Sequence, residues 1–523
     1  MKKNIQLIIP LSGIGKRFVE SGYKEPKPLI EVDGKSIIEH VVNLFPGIDD
    51  ISFICNNKHL QETNMRDILL KIKPNCKIYE VKVGEKKGPV DSVYSISEFL
   101  DDDKETIISY CDYGTVWNFE RFIHEARDKN IDGSIPCYIG FHPHMLGSDN
   151  YAFIKQENKF LIEIREKQPF TENKMGEYAS NGTYYFKKGS YIKKYFKELM
   201  DLDYNVKGEY YVSLIYNLMV RDNMKISIFE IDKMLQWGTP YDLEIYKQWS
   251  KYFYDKKNNP LKIIECPKNT TLLLPMAGGG TRFLKDGFEL PKPLIKVENK
   301  SMVVQAVDCL PKCENIVFGC LEEHLENYPL KEELKNSFNN SNIIKINEIT
   351  QGQACTCEIM INKSNIDLEK PLLISACDNG IYYDENKLKN LFDDENNDII
   401  VFSFRNHQTS KQNPNMYAWL NVDENNFIKH VSCKKFIYED PLKTHVIIGT
   451  MFFRKGKYFF DGLSKNYKEN IRTNNEFYVD DVLNQNIKEG LKVKVFEVKN
   501  YICWGTPEDY KTYNYWNEYF LNK

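Results

Sequence analysis

Four cations stand at spacings suited to holding a polyphosphate: Arg17 and Lys27 are ten residues apart, and so are Arg282 and Lys292. Each arginine closes a glycine loop, Ser12-Gly-Ile-Gly-Lys-Arg17 in one case and Ala277-Gly-Gly-Gly-Thr-Arg282 in the other. Glycines let a chain turn sharply and bring several N–H groups toward one anion with no β-carbon in the way. The arginine adds a planar fork that matches phosphate oxygens. Each lysine lies in Pro-Lys-Pro-Leu, where two prolines stiffen the backbone around a positioned charge. A phosphate group would then be cradled by Leu11, Ser12, Gly13 and Gly15, and again by Met276, Ala277, Gly278 and Gly280. Neither loop is a GxxxxGK[ST] phosphate loop, and neither has the third glycine of GxGxxG.

The elements that must position these groups recur with them. Arg17 maps onto Arg282 and Lys27 onto Lys292 at an offset of 265, Asp112 onto Asp378 at 266, and Gly182 onto Gly449 at 267. So small a drift implies tandem copies of a whole domain, 1–254 and 270–523, with the polar, proline-containing stretch 255–269 as linker. Within the first copy, apolar runs at 5–11, 51–56, 77–81 and 106–111 alternate with helical patterns at 36–44, 60–71, 90–100 and 119–129. Further strands are expected at 134–140, 150–155, 159–165 and 178–186, and closing helices near 189–200, 211–222 and 241–252. This predicts an α/β fold of two Rossmann-like domains, each a mostly parallel, mixed sheet flanked by helices. Ligands in such sheets bind beyond the carboxyl ends of the strands, where both glycine loops emerge. Asp112 follows the strand expected at 106–111 and Asp378 the one expected at 372–377, where a carboxylate reaches the same crevice.

The glycine loop with PKPL at fixed spacing, occurring twice, resembles the sugar-1-phosphate nucleotidyltransferase family, most closely its forms in capsule and surface-polysaccharide pathways. The resemblance implies a cytoplasmic enzyme that moves a nucleoside monophosphate from an NTP to a sugar or polyol phosphate, releases pyrophosphate and needs Mg²⁺. It implies catalytic roles for Arg17, Lys27, Arg282 and Lys292, metal binding by Asp112 and Asp378, and nucleotide contacts at Gly88 and Gly352. The acceptor pocket is implied at Glu166, Lys167, Asn181 and Gly182. In the second copy Lys434 is retained, but Cys433 and Ile448 stand where the first has Glu166 and Asn181, so two hydroxyl-binding groups are expected to be lost. The family's second metal-binding aspartate is replaced by Gln236 and Cys503.

Net charge of -4, from 70 basic and 74 acidic side chains, provides no field for nucleic acid or an anionic membrane, and no apolar run is long enough for a span. Thirteen cysteines without paired CxxC spacing point to reduced, mostly buried thiols. His142-Pro-His144 is expected at the surface or lining a pocket, and Tyr210, Tyr211, Phe477 and Tyr478 in the core. Two alternatives stay open: one catalytic copy beside a regulatory or oligomerisation copy that only binds nucleotide, and a glycosyltransferase. Homo-oligomerisation is left open too. Asp101 to Asp103 does not favour the glycosyltransferase, because it precedes its strand where a metal motif should follow one.

Overall fold

The strand Ile5–Leu11 seeds the first sheet. Leu7, Ile8 and Ile9 are fully buried, as expected of a central strand covered on both faces. A computed structural model describes residues 4–82, 84 and 87–521 and divides the chain into two compact units, Met1–Ser250 and Lys251–Lys523. In the first, ten strands run in the order Tyr178–Ser180, Ala152–Glu157, Phe160–Glu166, Ile226–Glu230, Gly133–Tyr138, Thr183–Phe186, Glu105–Ser109, Ile5–Leu11, Asp50–Asn56, Lys77–Val81. In the second, seven run in the order Ser341–Ile346, Asn315–Leu321, Thr271–Met276, Leu372–Ile374, His445–Phe453, Ile399–Phe404, Val493–Glu497. Taken from the opposite edge, the first unit's strands 77–81, 50–56, 5–11, 105–109, 183–186, 133–138 and 226–230 repeat that order. The parallel and antiparallel pairings agree as well.

A proline opens the crevice in each sheet. Thr271–Met276 pairs with Leu372–Ile374 only as far as Leu273, whose carbonyl accepts from Ser375 N at 3.0 Å. Pro275 is the next residue whose N–H would point at that neighbour, and it has none to donate. Pro10 stands likewise two residues beyond Ile8, where pairing with Glu105–Ser109 ends. Beyond these prolines the strands separate and the glycine loops leave the sheet.

Several expected elements are altered by local side-chain chemistry. The helix expected over 60–71 is two, Asn57–Glu62 and Met65–Ile72, because Thr63 adopts an extended backbone and its hydroxyl bonds His59 O and Met65 N. The helix over 90–100 stops at Tyr94 and gives way to a 3-10 turn at Ser97–Phe99. The run 178–186 is two strands, broken at Asn181-Gly182, where Gly182 has φ +91°. The stretch 255–269 is not a free linker. The helix Pro240–Asn258 enters it and carries the boundary between units, and Ile264 and Cys266 exchange backbone hydrogen bonds with Lys312 and pack on the second core. No helix of the described residues is long and apolar enough to cross a membrane.

Candidate active site

Gly15 and Gly280 take left-handed conformations, φ +70° and +58°, at the ends of the glycine loops. A β-carbon on them would lie 3.6 and 3.7 Å from the β-carbons of Lys27 and Lys292, so each loop folds down onto its PKPL lysine. Gly13 and Gly278 have open space around them and no positive φ; here glycine leaves room for a ligand rather than permitting a turn. Ser12 Oγ is 2.6 Å from Ser92 Oγ, tying the first loop to the helix Pro89–Tyr94. Leu11, Met276 and Ala277 are buried beneath their loops. The Arg17 and Arg282 side chains are exposed, and neither guanidinium makes a hydrogen bond or ion pair with the described residues.

The lysines and aspartates, expected in separate roles, are partners. Lys27 Nζ donates to Asp112 Oδ2 at 2.8 Å, and Lys292 Nζ to Asp378 Oδ2 at 2.6 Å. Burial acts to lower both ammonium groups, but the aspartates outweigh it and hold each above the ordinary lysine value. Both cations are therefore fully charged at neutral pH.

Each aspartate is placed by a short ribbon: Tyr113–Val116 with Lys233–Gln236, and Asn379–Tyr382 with Asn500–Cys503. Trp237 N donates to Asp112 O at 3.1 Å and Trp504 N to Asp378 O at 2.8 Å. A β-carbon on Gly238 or Gly505 would stand 2.9 or 3.2 Å from the aspartate Oδ2, so the Trp-Gly-Thr-Pro segments make space for these carboxylates as well as starting the final helices.

Sequence reasoning missed two more carboxylates nearby. Thr239 Oγ1 donates to Asp242 at 2.6 Å and Thr506 Oγ1 to Asp509 at 2.8 Å, and each hydroxyl accepts from the backbone N–H of the same aspartate. Burial pushes Asp242 up to about 6, against the Thr239 bond and Arg17, with Asp112 adding to the rise. Among the described residues, no group of three or more His, Cys, Asp or Glu is placed to hold a metal ion. One aspartate oxygen completed by phosphate oxygens and water suits Mg²⁺, which rarely has an all-protein cage. Asp112 and Asp378 fit that role.

Gly88 and Gly352 are required by backbone. They have φ +98° and +132°, and a β-carbon would fall 2.8 Å from Tyr210 O or 2.5 Å from Phe477 O. Backbone hydrogen bonds cross at these points: Tyr210 N to Lys87 O and Val90 N to Tyr210 O, then Phe477 N to Gln351 O and Ala354 N to Phe477 O. In the second unit a cavity of about 190 Å³ opens between Gly279, Gly280, Pro291 and the loop Asn347 to Ile349.

The residues expected to line an acceptor pocket come together in part. Glu166 ends the strand Phe160–Glu166 and accepts from Ser213 Oγ at 2.7 Å. Burial raises its carboxyl to about 7, Glu209 adding to the rise while Ser213 and Lys167 oppose it. Lys167 has φ +59° and lies over Tyr211, its ammonium donating to the phenol oxygen, which in turn donates to Glu209. Tyr211 is thus tied to Lys167 and Glu209 as well as packed in the core. Asn181 does not face it: its amide donates to Thr115 Oγ1 at 3.1 Å and accepts from Thr183 N at 2.9 Å, in a buried turn. Gly182 rests on the Tyr110 ring. In the second unit Lys434 has φ +54° and its ammonium donates to Met416 O. His142 and His144, expected at the surface or in a pocket, instead join Tyr138 and Tyr151 in a buried aromatic cluster, and burial lowers both, His142 to about 4.

Residues 7–223 match the model of the nucleotidyl transferase family. The bifunctional protein GlmU of Buchnera aphidicola subsp. Schizaphis graminum is 26% identical over 237 residues, covering 44% of this chain and 47% of that protein. UTP–glucose-1-phosphate uridylyltransferase 2 of Staphylococcus saprophyticus is 28% identical over 130 residues, covering 21% of this chain and 45% of that protein. The chain thus spans about half the length of the curated relatives it matches. Among solved structures, the nucleoside-diphosphate-sugar pyrophosphorylase from Vibrio cholerae RC9 aligns over 46% of this chain and 99% of its own, with 21% identity and a TM-score of 0.39. The inositol-1-phosphate CTP transferase from T. maritima aligns over 47% and 94%, with 13% identity and a TM-score of 0.36.

Proposed function

We propose, taking residues 7–223 as a member of the nucleotidyl transferase family, that each unit transfers a nucleoside monophosphate from an NTP to a sugar or polyol phosphate and releases pyrophosphate. The product would be an activated precursor for surface polysaccharide. One observation carries this reading: in both units an open glycine loop, a lysine folded beneath it and an aspartate after the neighbouring strand meet beyond the carboxyl ends of parallel strands.

An acceptor phosphate oxygen attacks the α-phosphorus of the NTP. The bond from that phosphorus to the bridging oxygen breaks, and pyrophosphate leaves with the electron pair. The nucleophile is already an anion, so no general base is required, and the work of the site is to align two polyanions and neutralise their charge. The open N–H groups around Gly13 and Gly278 cradle phosphates, while the Arg17 and Arg282 guanidiniums, without a partner among the described residues, are available to them. Lys27 and Lys292 are kept charged by Asp112 and Asp378 and turn to the phosphates as substrate enters. Mg²⁺ held by Asp112 or Asp378 with phosphate oxygens would supply charge neutralisation. Lys167 and Lys434 would meet the acceptor phosphate.

The test is pyrophosphate release by the full chain with Mg²⁺, each common NTP and a panel of sugar and polyol phosphates, repeated with Lys27→Met and Lys292→Met. Each substitution should lower kcat on one acceptor by roughly a hundredfold or more, the usual scale for losing one charge-stabilising group. Loss of all activity from one substitution alone would favour a single catalytic unit beside a nucleotide-binding one. No pyrophosphate from any pair would overturn the proposal.

A further inference from the structure

Two positions have exchanged chemistry between the units. In the first, the strand Phe160–Glu166 ends in a carboxylate and the helix Val212–Arg221 offers a hydroxyl, Ser213, at 2.7 Å. In the second, the strand Ile428–Cys433 ends in a thiol and the helix Val479–Lys488 offers a carboxylate, with Cys433 Sγ 3.9 Å from Asp480 Oδ2. Glu166 and Cys433, and Ser213 and Asp480, are both separated by 267 residues, the offset that relates Gly182 to Gly449. The adjoining lysines correspond in detail. Lys167 and Lys434 share left-handed backbones and donate their N–H to Tyr151 O and Tyr417 O, at 2.8 and 3.0 Å. They lie over Tyr211 and Tyr478.

We propose that the second unit keeps a carboxylate for its acceptor's hydroxyl groups, supplied by Asp480 in place of Glu166, and so takes a hydroxylated sugar or polyol phosphate beside Lys434. This rests on the nucleotidyltransferase reading given above. On this reading the second pocket keeps one of the two hydroxyl-binding groups that Cys433 and Ile448 replace. One moved from strand to helix, and the other, Asn181, is turned inward, with Ile448 buried in its place.

Asp480 is poorly satisfied. The sole hydrogen-bond partner of its carboxylate among the described residues is the Cys433 thiol, a weak donor, while a carboxylate offers about four acceptor sites. The neighbouring Asp481 is occupied by Thr473 Oγ1 at 2.8 Å. Burial raises the Asp480 carboxyl to about 6 despite Lys434, with Asp481 adding to the rise. Ligand hydroxyls would satisfy the group.

The experiment uses the full chain carrying Lys27→Met, so that turnover reports the second unit. The probes are glucose 1-phosphate, inositol 1-phosphate, ribitol 5-phosphate and glycerol 3-phosphate, with phosphocholine as the acceptor lacking hydroxyls. Asp480→Ser should raise the acceptor KM at least tenfold with the NTP KM unchanged, and Cys433→Glu added to it should restore the KM to within about threefold. An unchanged KM, or phosphocholine used as well as the others, would overturn the inference. Absence of turnover would instead count against transfer by the second unit. Calorimetry of the same probes with an α,β-methylene NTP then decides: heat lost on Asp480→Ser supports the inference, and heat unchanged or absent throughout overturns it.

Discussion

Glu166 is a carboxylate held where its own charge is disfavoured. Its folded pKa of about 7 lies above the ordinary value near 4.3, so between those values the native state binds more protons than the unfolded chain. Stability therefore falls as pH rises through that window, and the penalty, on the order of 4 kcal/mol at most, is complete above pH 7. Glu166→Gln keeps the acceptor for Ser213 but removes the charge. Thermal denaturation should show a higher Tm than the native chain at pH 8 and no gain at pH 4.5. The acceptor KM of the first unit should rise by tenfold or more. A variant less stable than the native chain at pH 8 would mean that the charge is satisfied within the fold and is not kept for a ligand.

The glycines divide into two kinds according to the elements they join. Gly352 sits where the helix Gln353–Ser364 meets the Phe477 backbone with φ +132°, so Gly352→Ala must displace the chain and weaken the bond from Ala354 N to Phe477 O. The cost should be on the order of 1–3 kcal/mol, seen as a lower midpoint in urea. Gly278→Ala meets open space and should leave the midpoint unchanged while raising the NTP KM of the second unit. Equal effects on stability would remove the distinction. This contrast also marks what can be read from sequence. The loops, the PKPL lysines and the aspartates are legible because local backbone rules and strand order place them. Their partnerships are not: Lys27 reaches Asp112 across 85 residues, and strand pairing alone makes them neighbours. Nor could Asp480 be found by matching positions one at a time, because the carboxylate moved to another element and left Cys433 as an apparent loss. The break at Thr63 follows from a hydroxyl competing for backbone partners, which hydrophobic periodicity does not register.

At the scale of the molecule, the same strand order, loop, Lys–Asp pair and lysine-bearing strand end occur in both units. The pockets differ in where the carboxylate is mounted and in Lys87-Gly88-Pro against Gln351-Gly352-Gln beside the expected base. Two units alike in phosphate handling and different in recognition suit one reaction applied to two substrates. The most direct test is phosphorus NMR of the full chain with Mg²⁺, an NTP and the acceptor that supports turnover. The account predicts that the α-phosphorus signal moves into a diphosphate bonded to the acceptor while pyrophosphate appears in equal amount. Orthophosphate as the product, or consumption of a ready-made nucleotide sugar in place of the NTP, would contradict it.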